Sequence, residues 1–318
     1  MSGVRSATAF APASVANVAV GFDVLGFSFP ALGDRVTVRR RPEGRRELYV
    51  AVHPSSVEDG ELPTSPDRNT ASAAVRSLLD AVGDTGAFDV EIHKGVPVAA
   101  GLGGSASSAV AGAVAANALL HQPLAHEDLL THAVAGEAVA SGASHADNVA
   151  PSLLGGLVAC LPSDPIRAIR VALPLGLHCV VVHPRLTVET RQARKALPNQ
   201  ISLAQHVTQS GRLVGFLLAC QAGDFAMLRE TMRDDLIEPL RSRAVPGFDE
   251  VQRAAQDAGA IACSIAGSGP SVFAWVPSMT GGEAVAAAIV DAFAAVDLAS
   301  RSWCVPLEGR RAELEEVR

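Results

Sequence analysis

The chain has 318 residues, enough for one large domain or two ordinary ones, each with its own core. Its formal net charge of −7 offers no basic footprint for nucleic acid. The five cysteines (160, 179, 220, 263 and 304) form no C-x-x-C pair, so they read as small core residues in a reducing compartment, with the cytoplasm as the expected location.

In chain order, the opening MSGVRSATAFAPASVANVAVGF has a signal-like arginine and apolar run, but Pro12, Ser14 and Asn17 break its apolar centre. Residues 34–52 alternate around Pro-Glu-Gly and predict a β-hairpin. A surface loop follows over 53–68, then a helix over 69–79 and a half-buried strand over 88–93. Helices are predicted over 105–120 and 127–141, and a buried strand over 152–160. Between 95 and 126 no charged residue occurs, yet the stretch is mostly Ala, Gly and Ser with two prolines, so no membrane span or membrane partner is expected. Proline-flanked residues 161–165 mark a domain boundary, dividing the chain into 1–163 and 164–318. The second half opens with a strand over 177–183, followed by helices over 203–219, 224–236 and 249–258. Two strands flank Gly-Ser-Gly-Pro within 261–276, and a helix (281–296) and a closing strand (302–306) complete an α+β sandwich in each half. Only the last few charged residues read as a disordered tail.

The stretch VPVAAGLGGSASSAV, residues 96–110, is the chemically pointed one. Glycines let backbone N–H groups converge on an anion, and the following helix turns its positive end to the same place. A plain strand-to-helix turn would use the same glycines. Gly101 to Ala106 also fits G-x-G-x-x-A, but no acidic residue ends a second strand about 20 residues on, as a dinucleotide site needs. No Gly-Lys-Ser/Thr occurs, which excludes a Walker loop. Glu137 sits mid-helix among Ala, Val and Gly, where a carboxylate is rarely buried unless it is paired or holds a metal.

The loop resembles the P-x3-G-L-[GS]-S-S-A motif of the GHMP kinases, the family of galactokinase, homoserine kinase, mevalonate kinase and phosphomevalonate kinase. Gly104 stands where that family usually has serine, and Ser107 where it often has alanine. Four further stretches resemble the homoserine kinases within it: ASVANVAVGFDVLG (13–26), HADNVAPSLLGG (145–156), TRQARKALP (190–198) and EPLRSRAVPGF (238–248). In the first of these Val15, Val18, Ala19 and Val20 depart from S-S-A-N-L-G-P-G-F-D-V-L-G. AGSGPS (266–271) resembles the third GHMP glycine motif.

The resemblance implies an N-terminal ribosomal-protein-like α/β domain, a ferredoxin-like C-terminal α/β sandwich, and an active site between them. It implies ATP bound by Asn69, Pro97, Ala100, Gly101, Leu102, Gly103, Gly104, Ser105, Ala106 and Ser107, with Ser105 and Glu137 as ligands of Mg²⁺. Asn17, Asp23, His145, Asn148, Arg194 and Arg241 become the pocket for L-homoserine, and Asn148, Asn17, Glu137 and Ser105 the catalytic set. A zwitterion suits these residue types: a carboxylate for its ammonium, arginines for its carboxylate and neutral polar groups at its hydroxyl. The implied reaction is ATP-dependent phosphorylation of that hydroxyl, a step of threonine biosynthesis. Another small-molecule GHMP kinase of the mevalonate type is the alternative, although a catalytic lysine would then be expected near the N-terminus, where only Arg5 stands. A homodimer is compatible with the sequence, which does not fix the oligomeric state.

Overall fold

The computed structural model describes residues 5–42, 47–54, 62–142, 145–188, 190–307 and 309–318, without the side chains of Ser141, Thr190, Arg191 and Gln192. Two sheets carry the fold. The first centres on a long antiparallel pair, β1 (Ser6–Ala16) and β2 (Leu25–Arg40). Its edge order is β11 (Glu313–Val317), β1, β2, β4 (Phe88–His93), β3 (Leu48–His53). On the other half of β2 lies β5 (Leu157–Leu161), and then β6 (Arg167–Val171).

Helices α1 (Thr70–Ala81), α2 (Gly104–Asn117) and α4 (Val149–Leu154) pack against this sheet, and α3 (Leu129–Ser141) packs onto α1 and α2. Residues 106–116 of α2 are all buried, so the helix is apolar all round and needs no amphipathic stripe. The second sheet runs β10 (Ser300–Pro306), β7 (His178–Pro184), β9 (Val272–Val276), β8 (Ala262–Ile265). Helices α9 (Phe248–Asp257) and α10 (Met279–Ala294) cover one face of it. The other face joins the first sheet through Phe27, whose ring meets Phe273 and Trp275 edge-on at 5.5 and 5.7 Å.

Four sequence expectations are corrected. The alternating stretches around Pro-Glu-Gly do not pair as a hairpin, because β4 lies between β2 and β3 and runs parallel to β3. Alternation reports a half-buried strand, not its neighbour; the turn at 43–44 lies outside the described residues. The strand expected over 152–160 begins as helix α4, and Gly155 and Gly156, at φ +77° and +71°, turn the chain into β5. The helix expected over 203–219 is α6 (Leu203–Ala222), whereas the one expected over 224–236 is the shorter α7 (Phe225–Thr231). The charged C-terminal residues are not a loose tail: 313–317 form β11, paired with β1, and its side chains are all exposed, so no apolar alternation announces it.

The segment between β1 and β2 is strained. Asn17, Val18 and Ala19 take φ values of +71°, +47° and +56°, and Asp23 +57°. Such angles are uncommon without glycine, most of all for a β-branched valine. Ala19 stands where the signature quoted above has glycine, which this backbone explains. The strain turns Asn17 and Asp23 towards the cleft between the two sheets.

Candidate active site

A cleft of about 590 Å³ opens between the sheets. Its floor is the glycine-rich loop running into α2. Gly103 caps α2 at φ +63° with no side-chain cap, so the first-turn N–H groups of the helix are left for a ligand. A Cβ on Gly103 would stand 2.1 Å from Ser14 Oγ, and one on Gly101 would stand 2.5 Å from the carbonyl of Ala266. The loop is therefore pressed against β1 and against the 266–271 turn, where Ser271 Oγ donates to the Ala100 carbonyl at 2.6 Å. Pro97, Ala100, Gly101, Leu102, Gly103, Gly104 and Ser105 all line the cleft. Ala106 and Ser107 do not: both are fully buried, and Ser107 Oγ donates to the Ala11 carbonyl while accepting from the Asp34 amide.

Ser105 and Glu137 meet across two helices, with Ser105 Oγ donating to Glu137 Oε1 at 3.0 Å. Burial, with Asp147 nearby, pushes the Glu137 carboxyl up to about 7. A buried carboxylate beside a hydroxyl is a set of hard oxygen donors, and burial raises its demand for a cation. The pair fits Mg²⁺.

Lys94 is not singled out as a site residue by its sequence position, yet it lines the cleft beside this floor. It donates to the Gly104 carbonyl at 2.7 Å and Ser108 Oγ at 3.0 Å, and it pairs with Asp34. Asp34 also accepts from the amides of Gly95 and Val96 and from Ser108 Oγ. A Cβ on Gly104 would meet Val96 and Lys94 at 3.2 to 3.4 Å, so glycine, in place of the family's serine, relieves a crowded spot.

At the other end of the cleft are the six residues expected to hold the substrate, and all of them line it. Arg194, on α5 (Thr190–Lys195), forks onto Asp23 with bonds of 3.0 and 2.7 Å. Arg241, on α8 (Glu238–Arg241), is buried and donates to the Gly267 carbonyl at 2.6 Å. Its Nε has no hydrogen-bond partner among the described residues. Both guanidiniums lie over the Phe22 ring, at 5.4 and 5.1 Å, which makes Phe22 a further site residue that the sequence did not single out. His145 Nδ1 stands 3.7 Å from Asp23, and burial draws the imidazole below its usual range.

The three asparagines are tied down. Asn17 donates to the Gly267 carbonyl at 3.1 Å and accepts from the Asp23 amide at 3.1 Å. Asn148 Oδ1 accepts from Ser14 Oγ at 2.9 Å. Asn69 lines the cleft while its side chain caps α1, accepting from the Ser72 amide, and donates to the Pro63 carbonyl. Asp147, wholly buried on the wall, is pushed up to about 7 by burial with Asp23 nearby.

Residues 69–156 match the GHMP kinases N terminal domain and residues 216–295 the GHMP kinases C terminal domain. Homoserine kinase of Xanthomonas campestris pv. campestris is 46% identical, covering 98% of this chain and 95% of that protein. Homoserine kinase of Xylella fastidiosa is 45% identical over 98% of this chain and 94% of its own length. The crystal structure of homoserine kinase from Cytophaga hutchinsonii superposes with a TM-score of 0.93 at 37% identity, covering 99% of this chain and 98% of that one.

Proposed function

The chain belongs to the homoserine kinases of the GHMP family, ATP-dependent phosphotransferases, and from that premise we propose how its cleft carries the reaction. ATP lies along the glycine-rich loop, its terminal phosphates at the uncapped start of α2, within reach of Pro97, Ala100 to Ser105 and Asn69. L-Homoserine lies at the Asp23 end, and its side-chain hydroxyl attacks the γ-phosphorus, giving O-phospho-L-homoserine and ADP. The ATP-binding unit comprises 1–163 and the second unit 164–318, with β6 and β11 paired into the first sheet. Free cysteines, four of them buried, suit a reducing cytoplasm.

One observation carries this reading: a single cleft joins an uncapped helix N-terminus to a carboxylate and two arginines. The substrate's ammonium takes Asp23, and its carboxylate takes Arg241 and the Arg194 fork that Asp23 gives up. Phe22 holds both guanidiniums in place.

Ser105 and Glu137 would hold Mg²⁺, which when bound neutralises the charge that gathers on the phosphate oxygens. Phosphoryl transfer runs through a loose transition state, so positioning outweighs a strong base. Asn148 cannot take a proton. Fixed by Ser14, it orients the hydroxyl, and the proton leaves late, to phosphate or water. Asn17 is a positioning residue: both ends of its amide are spent on Gly267 and Asp23.

A coupled ADP-release assay with L-homoserine, mevalonate, L-serine and L-threonine side by side tests this. L-Homoserine should support turnover far above the others; faster release with mevalonate would overturn the substrate assignment.

A further inference from the structure

Strands β3 and β4 run parallel in a register that pairs His53 with His93 and Ala51 with Glu91. Alternate residues of a strand share a face, so Glu91 and His93 project together, with His53 beside them across the strand gap. The two imidazoles stack with ring centroids 4.3 Å apart and planes 12° from parallel. Both Nε2 atoms point to one carboxylate oxygen: Glu91 Oε1 lies 3.3 Å from His53 and 3.1 Å from His93. Arg39 holds the other oxygen of Glu91, donating from Nη1 at 2.6 Å. Among the described residues, no other three His, Cys, Asp or Glu side chains bring their ligand atoms this close.

We propose that His53, Glu91 and His93 form a second metal site, distinct from the catalytic one, that takes a divalent transition cation such as Zn²⁺. Two imidazole nitrogens and one carboxylate oxygen suit Zn²⁺, Ni²⁺ or Cu²⁺, whereas Mg²⁺ prefers oxygen ligands. Arg39 fixes the carboxylate from behind, as supporting groups do around metal ligands. The histidines are exposed, so water completes the coordination. The site has a structural consequence. β3 is an edge strand whose one described neighbour is β4, and Val52 and Ile92, next in sequence to the histidines, line the cleft from the opposite face. A cation bridging His53 to His93 pins that edge at its cleft end.

The test is calorimetric titration of the tag-free, full-length chain with Zn²⁺ at about pH 7.5. One Zn²⁺ per chain should bind at a site that His53→Gln/His93→Gln weakens about tenfold or more, at or above the effect of losing a mere supporting group. Excess Mg²⁺ should not displace it, and the double variant should keep the parental homoserine-dependent ADP release, since neither histidine lines the cleft. Zinc X-ray absorption on the parental chain supplies an independent readout, expected to report two imidazole nitrogens with oxygen. Equal zinc affinity in the double variant, displacement by Mg²⁺, absence of stoichiometric binding, or sulfur ligation would each overturn the proposal.

Discussion

Arg194 and Asp23 neutralise one another across the cleft, joined by two bonds of 2.7 and 3.0 Å. Each is the natural partner of one end of a zwitterion. A substrate carrying both charges replaces the pair with two new ones, whereas a substrate carrying only one leaves a charge stranded. On the proposed reading, recognition tests for ammonium and carboxylate together.

Asp23→Asn should raise the homoserine KM by about tenfold or more with little change in ATP KM, since a charge-assisted bond contributes about 1.5–3 kcal/mol. For the same reason the parental enzyme should discriminate against 4-hydroxybutanoate, which lacks the ammonium. Steady-state ADP release, with each substrate varied in turn, measures both.

Arg241→Lys keeps the charge but loses the fork and the broad stack on Phe22. Its homoserine KM should rise while ATP KM stays near the parental value. Equal loss for both substrates would mean instead that the bond to Gly267 holds the whole cleft together.

Glu137→Gln should act in opposite directions on activity and stability. It keeps an acceptor for Ser105 but removes the charge from the expected metal pair, so kcat should collapse. The folded carboxyl titrates near 7, against 4.5 for the free group. The folded state thus binds the extra proton between those values, and stability from this group falls as pH rises through that window. Without nucleotide or Mg²⁺, the variant should be more stable than the parent at pH 8, by about 3 kcal/mol at most, with the gap closing below pH 4.5. Urea unfolding across pH reads this out.

Lys94→Met should lower stability by about 3 kcal/mol, because it leaves the Asp34 carboxylate buried without its cation. Asp34 keeps three other hydrogen bonds, which limits the loss. Lys94 also braces the Gly104 carbonyl, so ATP KM should rise in the same variant.

The glycine-rich loop was legible in the sequence because its physics is local: glycines, a helix start and no charge. Glu137 was legible as a carboxylate on an apolar helix. The support beneath was not. Asp34 and Lys94 lie 60 residues apart, and nothing in either neighbourhood announces the other. Phe22 sat inside a quoted signature, but its role depends on two arginines brought from distant helices. Ser107 is among the ATP-binding residues the resemblance implies, yet the helix turns it inward to Ala11 and Asp34. The order of β2, β4 and β3 was hidden because alternation is the same whichever strand lies alongside.

The most direct measurement is a crystal structure with a non-hydrolysable ATP analogue, L-homoserine and Mn²⁺ in place of Mg²⁺, located by its anomalous signal. The β- and γ-phosphates should meet the backbone amides of residues 101–105, with the manganese peak between Ser105 and Glu137. A triphosphate seated elsewhere in the cleft, or a peak distant from both side chains, would contradict the account.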